Sequence, residues 1–360
     1  MRLGTCIALE LVVAAGAAGG LWLGLGRAGD VAGEYFAARE AEASTAPPPR
    51  VSAVGELPSG RLAVAAPGVR TVFPAPDGEL LAPLAATGVR RVKLNHGGTS
   101  LSLRLEFANG ARAAFKPMQI HPQSDPRREI AAYRIDRLLG IGHVAPAKAA
   151  VFTLDELAEA ADPAAYDLTF GRISDEAIVR DGLVRGELSW WIPEIKGMRF
   201  GGELVDEPAG VDIWSALLQP GVQATPAQRE VLAQLATCVV FDVVVDNADR
   251  WSGNNTQSSP DDRVLYFMDN TLSFSLFTKG HAMNLAKLYR IGVFPRGLIA
   301  RLRALTYESI ASAIAEDSGI LGPLLTDGEI RALLARRDHV LEYVDGVIAE
   351  HGEGAVLALP

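Results

Sequence analysis

Two cysteines, Cys6 and Cys238, are all that the 360 residues contain. A disulfide scaffold is therefore excluded, and each thiol reads most simply as a small hydrophobe. Histidine is also scarce, with six in the chain, and none has the H-x-x-x-H spacing of a zinc-binding helix. Positive charge is in deficit, since 34 Lys and Arg against 43 Asp and Glu leave a net charge of −9. That field repels nucleic acid and anionic membrane, so no nucleic-acid partner is expected, while a local basic cleft remains compatible with phosphate. What the chain does have is 49% hydrophobic residues with 36 Gly and 21 Pro. This composition implies a folded core joined by Gly/Pro-rich loops, in one large or two medium domains.

Residues 1–27 are nearly continuous in apolar and small residues, with Arg2 ahead of them and Glu10 inside. They read as a signal anchor that tethers a single-pass protein to the membrane with its body on the exported side. The alternatives are cleavage as a signal peptide, giving a secreted protein, and a body facing the cytoplasm. Residues 28–68 hold the run AEASTAPPPR and read as a flexible Ala/Pro-rich linker. The ordered body is expected from about Val69, with a turn at Pro76 to Gly78.

Leu101 to Phe107 alternates as LSLRLEF, Asn109-Gly110 makes a hairpin turn, and Ala111 to Phe115 returns as a second strand. Lys116 then stands at a strand end, facing whatever the hairpin covers. A helix follows with the apolar stripe Ile130, Tyr133, Ile135, Leu138 and Leu139, stopped by Gly140. Glu129 sits in its first turn, where the helix dipole favours negative charge; it is also a candidate to pair Lys116 or to bind a metal. Asp155 to Asp162 reads as a surface helix, and Gly186 to Pro193 as a short apolar strand between lobes. Trp190 and Trp191 in that strand are candidates to cover an adenine base, packing between lobes being the commoner fate of such a pair.

The most informative stretch is Cys238 to Phe277. A helix beginning at Pro226 leads into the apolar run Val239 to Val245, which ends in Asp246, Asn247, Asp249, Arg250, Asn254 and Asn255; a second run, Val264 to Met268, ends in Asp269 and Asn270. Carboxylates and amides at the ends of core segments cannot be buried unpaired, so the two sets should meet in a cleft. Such hard oxygen groups, with Asp249, Asn254 and Asp269 foremost, suit Mg²⁺ or Mn²⁺ carrying phosphates. An Asn/Asp-rich turn formed for local reasons is the plainer alternative. Beyond Thr278 the pattern is helical, near Met283 to Leu288, Pro295 to Leu305, Ser309 to Glu316 and Asp327 to Ala349.

FKPMQ at Phe115 to Gln119, EIAAYRIDRLLG at Glu129 to Gly140, FDVVVDNADR at Phe241 to Arg250 and FMDNTLSF at Phe267 to Phe274 together resemble the secretory-pathway atypical kinases. That family includes Golgi casein kinase and the proteoglycan xylose kinase. The resemblance runs from about Thr99 to the C-terminal helices. It implies an α+β, bilobal kinase-like fold, with a small β-rich N-lobe over 69–192 and a larger, mainly helical C-lobe over 193–360. It also implies an ATP-dependent phosphotransferase acting on a hydroxyl, first on protein Ser/Thr, with a sugar or lipid acceptor as the alternative. Lys116 then resembles the phosphate-contacting lysine, Glu129 the N-lobe acid that helps hold the metal, Asp249 the catalytic aspartate and Asp269 the metal-binding aspartate. Asn254 stands where the family often has Glu and would complete the metal set.

Four departures go with the resemblance. The family's DRHH is DRWS here, with Trp251 and Ser252; its DNG is DNT, with Thr271; Ser102 stands where a second lysine is usual; and the family's disulfides cannot form. These changes keep open a nucleotide-binding pseudokinase scaffold beside the active kinase.

Overall fold

The computed structural model describes residues 70–95, 99–252, 255–315 and 317–360. The chain divides into two units, Met1–Val51 and Ser52–Pro360, and the described residues all belong to the second. The N-terminal anchor or signal, the whole linker, Cys6 and Asn254 lie outside them. Among the described residues no helix is long and apolar enough to cross a membrane.

A short helix α1 (Asp77–Leu81) replaces the turn expected at Pro76 to Gly78. Pro76 supplies the non-helical entry, and the acidic first turn, Asp77 and Glu79, suits a helix start. Next come β1 (Val89–Leu94), β2 (Leu103–Phe107) and β3 (Arg112–Pro117), the last two being the expected hairpin. Helix α2 (Pro126–Leu138) starts at Asp125, whose side chain accepts from the Arg127 amide at 3.1 Å, with Pro126 at the first helical position. It stops before Gly140, which takes φ +66°. Strand β4 (Ala147–Thr153) leads into α3 (Leu154–Glu159), and α4 (Tyr166–Glu176) precedes β5 (Val179–Arg180) and β6 (Leu183–Trp190).

These strands form one antiparallel sheet in the order β1-β2-β3-β6-β4, with β5 added against β6. The register fixes which side chains share a face, because alternate residues on a strand, and paired residues on neighbours, point the same way. Lys116 pairs with Glu187, and Glu187 with Ala149. Two residues along, Arg104 pairs with Ala114, Ala114 with Ser189, and Ser189 with Ala147. The opposite face carries Leu103, Leu105, Phe115, Val184 and Leu188, all buried in the core of this lobe.

After β6 the chain makes β7 (Lys196–Gly197) and the small hairpin β8 (Arg199–Phe200) and β9 (Glu203–Leu204). Helix α5 (Pro208–Leu217) occupies ten residues of Pro208 to Gln223, a stretch whose sequence reads as a loop with a short helical piece. Helix α6 (Pro226–Val245) opens with a capping box between Thr225 and Gln228 and runs 20 residues to Asp246. Its second half, Cys238 to Val245, is buried on every side. Burial all round explains why a Val-rich run that favours strands locally is helical here: tertiary packing outweighs a few tenths of a kcal/mol per residue of propensity.

Strands β10 (Thr256–Ser258) and β11 (Leu265–Phe267) pair antiparallel, and β7 joins β10. The C-terminal helices are α7 (Ala282–Leu288), α8 (Arg296–Ala304), α9 (Tyr307–Ala315), α10 (Ser318–Leu321), α11 (Asp327–His351) and α12 (Glu353–Val356), close to the spans expected beyond Thr278. One apolar core joins α2, α6 and these helices. The architecture is thus a β-rich sheet lobe and a helical lobe. Helix α2 bridges them, since its apolar face belongs to the helical core while Glu129 in its first turn reaches the face of the sheet that carries Lys116.

Candidate active site

Lys116 leaves β3 on that face and its ammonium lies 2.5 Å from Glu129 Oε1 and 2.9 Å from Asp269 Oδ1. One cation therefore ties the sheet, the first turn of α2 and the loop after β11. Burial alone would push the lysine pKa down, but the carboxylates of Asp269 and Glu129 outweigh it and hold it above the ordinary lysine value. Lys116 stays charged. The lysine's charge, aided by hydrogen bonds from Lys116 and Thr271, in turn holds the Asp269 carboxyl below its usual range.

The other oxygen of Glu129 is used as well. Oε2 accepts from the Asn270 backbone amide at 3.0 Å and from the Asn270 side chain at 3.2 Å. Asn270 Oδ1 accepts from the Arg250 guanidinium at 2.7 Å and from Asn247 Nδ2 at 3.3 Å. Asn247 Nδ2 also donates to the Asp269 carbonyl at 2.9 Å, and its Oδ1 accepts the Asp249 amide at 3.0 Å. The two acidic clusters that the sequence separates by some twenty residues are thereby one hydrogen-bonded unit. Arg250 is fully buried and paired with buried Asp242 at 3.3 Å, and it also donates to the Met268 carbonyl. Burial lifts the Asp242 carboxyl above its ordinary value, and the opposing Arg250 charge offsets part of that.

Asp249 is held from both sides. Its Oδ1 accepts from the Ser252 hydroxyl, and its Oδ2 accepts from Asn255 Nδ2 at 2.8 Å. Asp269, in the left-handed region with φ 55°, accepts from the Thr271 hydroxyl at 3.0 Å. Ser252 and Thr271 are two of the departures from the family pattern, and they donate to Asp249 and Asp269 respectively. Trp251 packs against Trp214 and lies under the Lys287 ammonium, 5.3 Å from its ring centre.

Asp246 closes α6 in the left-handed conformation and accepts from the His281 backbone amide at 2.8 Å and from the Ser275 hydroxyl. Buried Arg336, from α11, donates to the carbonyls of Ser275 and Phe277 at 2.9 and 2.8 Å. The chain that follows Asp269 is anchored to the helical lobe through these contacts.

The remaining residues singled out by sequence fall as follows. Trp190 packs edge-on against Phe73, with ring centres 5.8 Å apart. Trp191 lies under the Arg104 guanidinium, 5.6 Å from its ring centre. Asn254 is outside the described residues, and among those described no three His, Cys, Asp or Glu side chains converge into a ready metal cage. A fourth acid escapes sequence reading altogether. Glu187 pairs with Lys116 across β3 and β6 and is 2% exposed. Burial, reinforced by the charge of Glu129, pushes its pKa up to about 8 against the pull of Lys116. Its signal in the sequence was a lone charge inside an otherwise apolar strand, GELSW.

The fold and this site define a kinase-like protein, in which one lysine on a β-sheet faces an acid on the bridging helix and another in the helical lobe. The chain is similar to the secretory-pathway atypical kinases of the Fam20 group. No family profile matches it. It is 26% identical over 324 residues to the glycosaminoglycan xylosylkinase of Danio rerio, covering 77% of each chain. Over 311 residues it is 24% identical to the Homo sapiens pseudokinase FAM20A, covering 72% of this chain and 56% of that one. Among solved structures, Golgi casein kinase superposes with a TM-score of 0.60 at 16% identity over 78% of each chain, and it has also been solved with Mn and ADP bound. Hydra Fam20 with sugar gives a TM-score of 0.60 at 18% identity, over 80% of this chain and 95% of that one.

Glu187 generates a stability prediction. Its carboxyl releases its proton near pH 4.5 when unfolded and near 8 when folded, so the unfolded chain loses the proton first and stability falls as pH rises through that window. E187Q removes that term. Its unfolding free energy relative to the wild type, from denaturant titrations at each pH, should rise steadily from pH 4.5 to 8, by up to about 1.4 kcal/mol per pH unit, and level off above. Parallel profiles for the two proteins would show that Glu187 is not held protonated.

Proposed function

We propose that this protein is an ATP-dependent phosphotransferase that moves the γ-phosphoryl group to a hydroxyl acceptor, with protein Ser/Thr as the first acceptor class. The observation that carries this reading is the Lys116 ammonium held between Glu129 and Asp269, with Asp249 tied into the same unit through Asn247. Two of the relatives are named as glycosaminoglycan xylosylkinase and Golgi casein kinase, so a sugar hydroxyl is the second acceptor class, and a lipid headgroup the third.

The donor set suits a divalent ion. Glu129 and Asp269 both contact the Lys116 ammonium, so two carboxylates face one cation, and their oxygens are the hard donors that Mg²⁺ and Mn²⁺ prefer. Asp269 and Glu129, with Asn254, are the residues proposed to hold it; Mn²⁺ has support from the Mn and ADP in the Golgi casein kinase structure. The bound ion would neutralise charge on the triphosphate. Lys116 contributes a fixed positive charge for the phosphates that needs no reorganisation during reaction. Asp249, its carboxylate plane set by Ser252 and Asn255, orients the attacking hydroxyl and takes its proton at Oδ1 or Oδ2.

A nucleotide-binding pseudokinase is the second reading, favoured by the likeness to FAM20A. Against it stands the fact that two of the altered positions, Ser252 and Thr271, donate hydrogen bonds to Asp249 and Asp269 rather than blocking them. For location, the kinship with secretory-pathway kinases supports a body on the exported side, with tethering by residues 1–27 as the accompanying proposal.

The deciding experiment is metal-dependent ATP consumption by the full chain. Turnover with Mn²⁺ or Mg²⁺ is expected, D269A should abolish it while melting near the wild-type temperature, and retained full turnover in D269A would refute its role. Nucleotide binding without consumption under any metal would establish the scaffold. S252A should lower kcat about tenfold with little change in the KM for ATP, on the scale of one hydrogen bond to a charged group, and S252T should restore it. Wild-type kcat in S252A would show that the hydroxyl does not position Asp249.

A further inference from the structure

The sheet face that carries Lys116 continues beyond it. One step along β3, Arg104, Ala114, Ser189 and Ala147 form a row across four strands, parallel to the row of Lys116, Glu187 and Ala149. The rows are two residues apart, about 7 Å along the strands. Lys116 reaches from its row toward Asp269 and Glu129, which marks that end of the cleft for phosphates. The Arg104 row therefore lies at the end where β6 leaves the sheet at Trp190 and Trp191. Its middle members, Ala114 and Ser189, are small, so the face is shallow there and leaves room for a flat ring.

Arg104 closes this space in an incomplete way. Its guanidinium lies over the Trp191 ring at 5.6 Å, and its contact with Glu106 is loose, at 3.7 Å. Its Nε is buried and has no hydrogen-bond partner. A buried N–H donor without an acceptor costs about 1–3 kcal/mol, a cost that an arginine on a hairpin strand would escape by turning to water. The side chain is instead kept on the cleft face, stacked on an indole. Guanidinium planes stack on aromatic and heteroaromatic faces, and Nε asks for one acceptor at the edge of such a ring or on a sugar attached to it.

We infer that Arg104 forms the roof over the nucleoside end of the cleft, stacking on the base and donating its free Nε–H to a ring nitrogen or ribose oxygen, with Trp191 bracing it from behind. This rests on the nucleotide reading above and adds to it the residue that grips the nucleoside. It also gives the hairpin a nucleotide contact two residues beyond Ser102, where the usual second lysine is missing. The gain is at the nucleoside rather than the phosphates.

Calorimetric titration of the full chain with ADP and with inorganic pyrophosphate, each with Mn²⁺, separates the two ends. R104A should weaken ADP binding about ten- to fiftyfold, the scale of one stacking contact plus one hydrogen bond, and leave pyrophosphate binding within about twofold. K116M should weaken both ligands. R104K keeps the stem and charge but not the planar fork, and should bind ADP several-fold more weakly than the wild type; it serves if R104A does not fold. Wild-type ADP affinity in either variant that folds, or an equal loss of ADP and pyrophosphate, would overturn the inference while leaving the phosphotransfer reading in place. Failure of the wild type to bind either ligand would remove the nucleotide reading itself, and this inference with it.

Discussion

One buried ammonium holds the site together. Lys116 is the point at which a strand of the sheet, the first turn of the bridging helix and the loop after β11 meet, because its cation is shared by Glu129 and Asp269. Removing either carboxylate leaves the lysine with one partner of two, and removing the lysine leaves the two acids facing one another beside Glu187. Buried charges are tolerable only when paired and hydrogen-bonded. That constraint explains why Asn270, Asn247 and Arg250 are buried beside the acids: Asn270 donates to Glu129, Arg250 to Asp242 and Asn270, and Asn247 to Asn270 and the Asp269 carbonyl.

The same constraint accounts for the altered positions. A hydroxyl beside a carboxylate is a donor of the right size, and both Ser252 and Thr271 are used in that way. Substitutions that look like losses when a motif is read letter by letter are, in the folded chain, local replacements of one stabilising contact by another. Asp246, Ser275, His281 and Arg336 do for the backbone after Asp269 what these hydroxyls do for the acids: they hold it in one conformation, so the geometry does not have to be assembled on binding.

Much of this was legible in the sequence, and the rest was not, for physical reasons. The hairpin, the bridging helix and the C-terminal helices announce themselves through strand alternation, helical apolar stripes and glycine stops. Lys116, Glu129, Asp249 and Asp269 could be picked out because polar groups at the ends of apolar runs have to be accounted for. Helix α4 was missed and α5 reads as only a short helical piece: α4 has no capping side chain and few buried residues, and α5, although Pro208 opens it, carries Gly210 in its first turn. Glu187 and Arg104 were missed for a different reason. Each is one polar letter in a strand, and its meaning depends on which residue of a distant strand it stands opposite, a fact fixed by register and not by neighbours in the chain. Trp191 was noticed, but its orientation toward Arg104 follows from that same register.

The central claim is that Lys116 and Asp269 address one nucleotide from opposite sides of one cleft. The most direct measurement is a crystal structure of the protein with Mn²⁺ and a non-hydrolysable ATP analogue. The account predicts triphosphate oxygens within hydrogen-bond distance of Lys116 Nζ, and the ion on Asp269. A nucleotide bound away from both residues, or an ion that leaves Asp269 untouched, would contradict it.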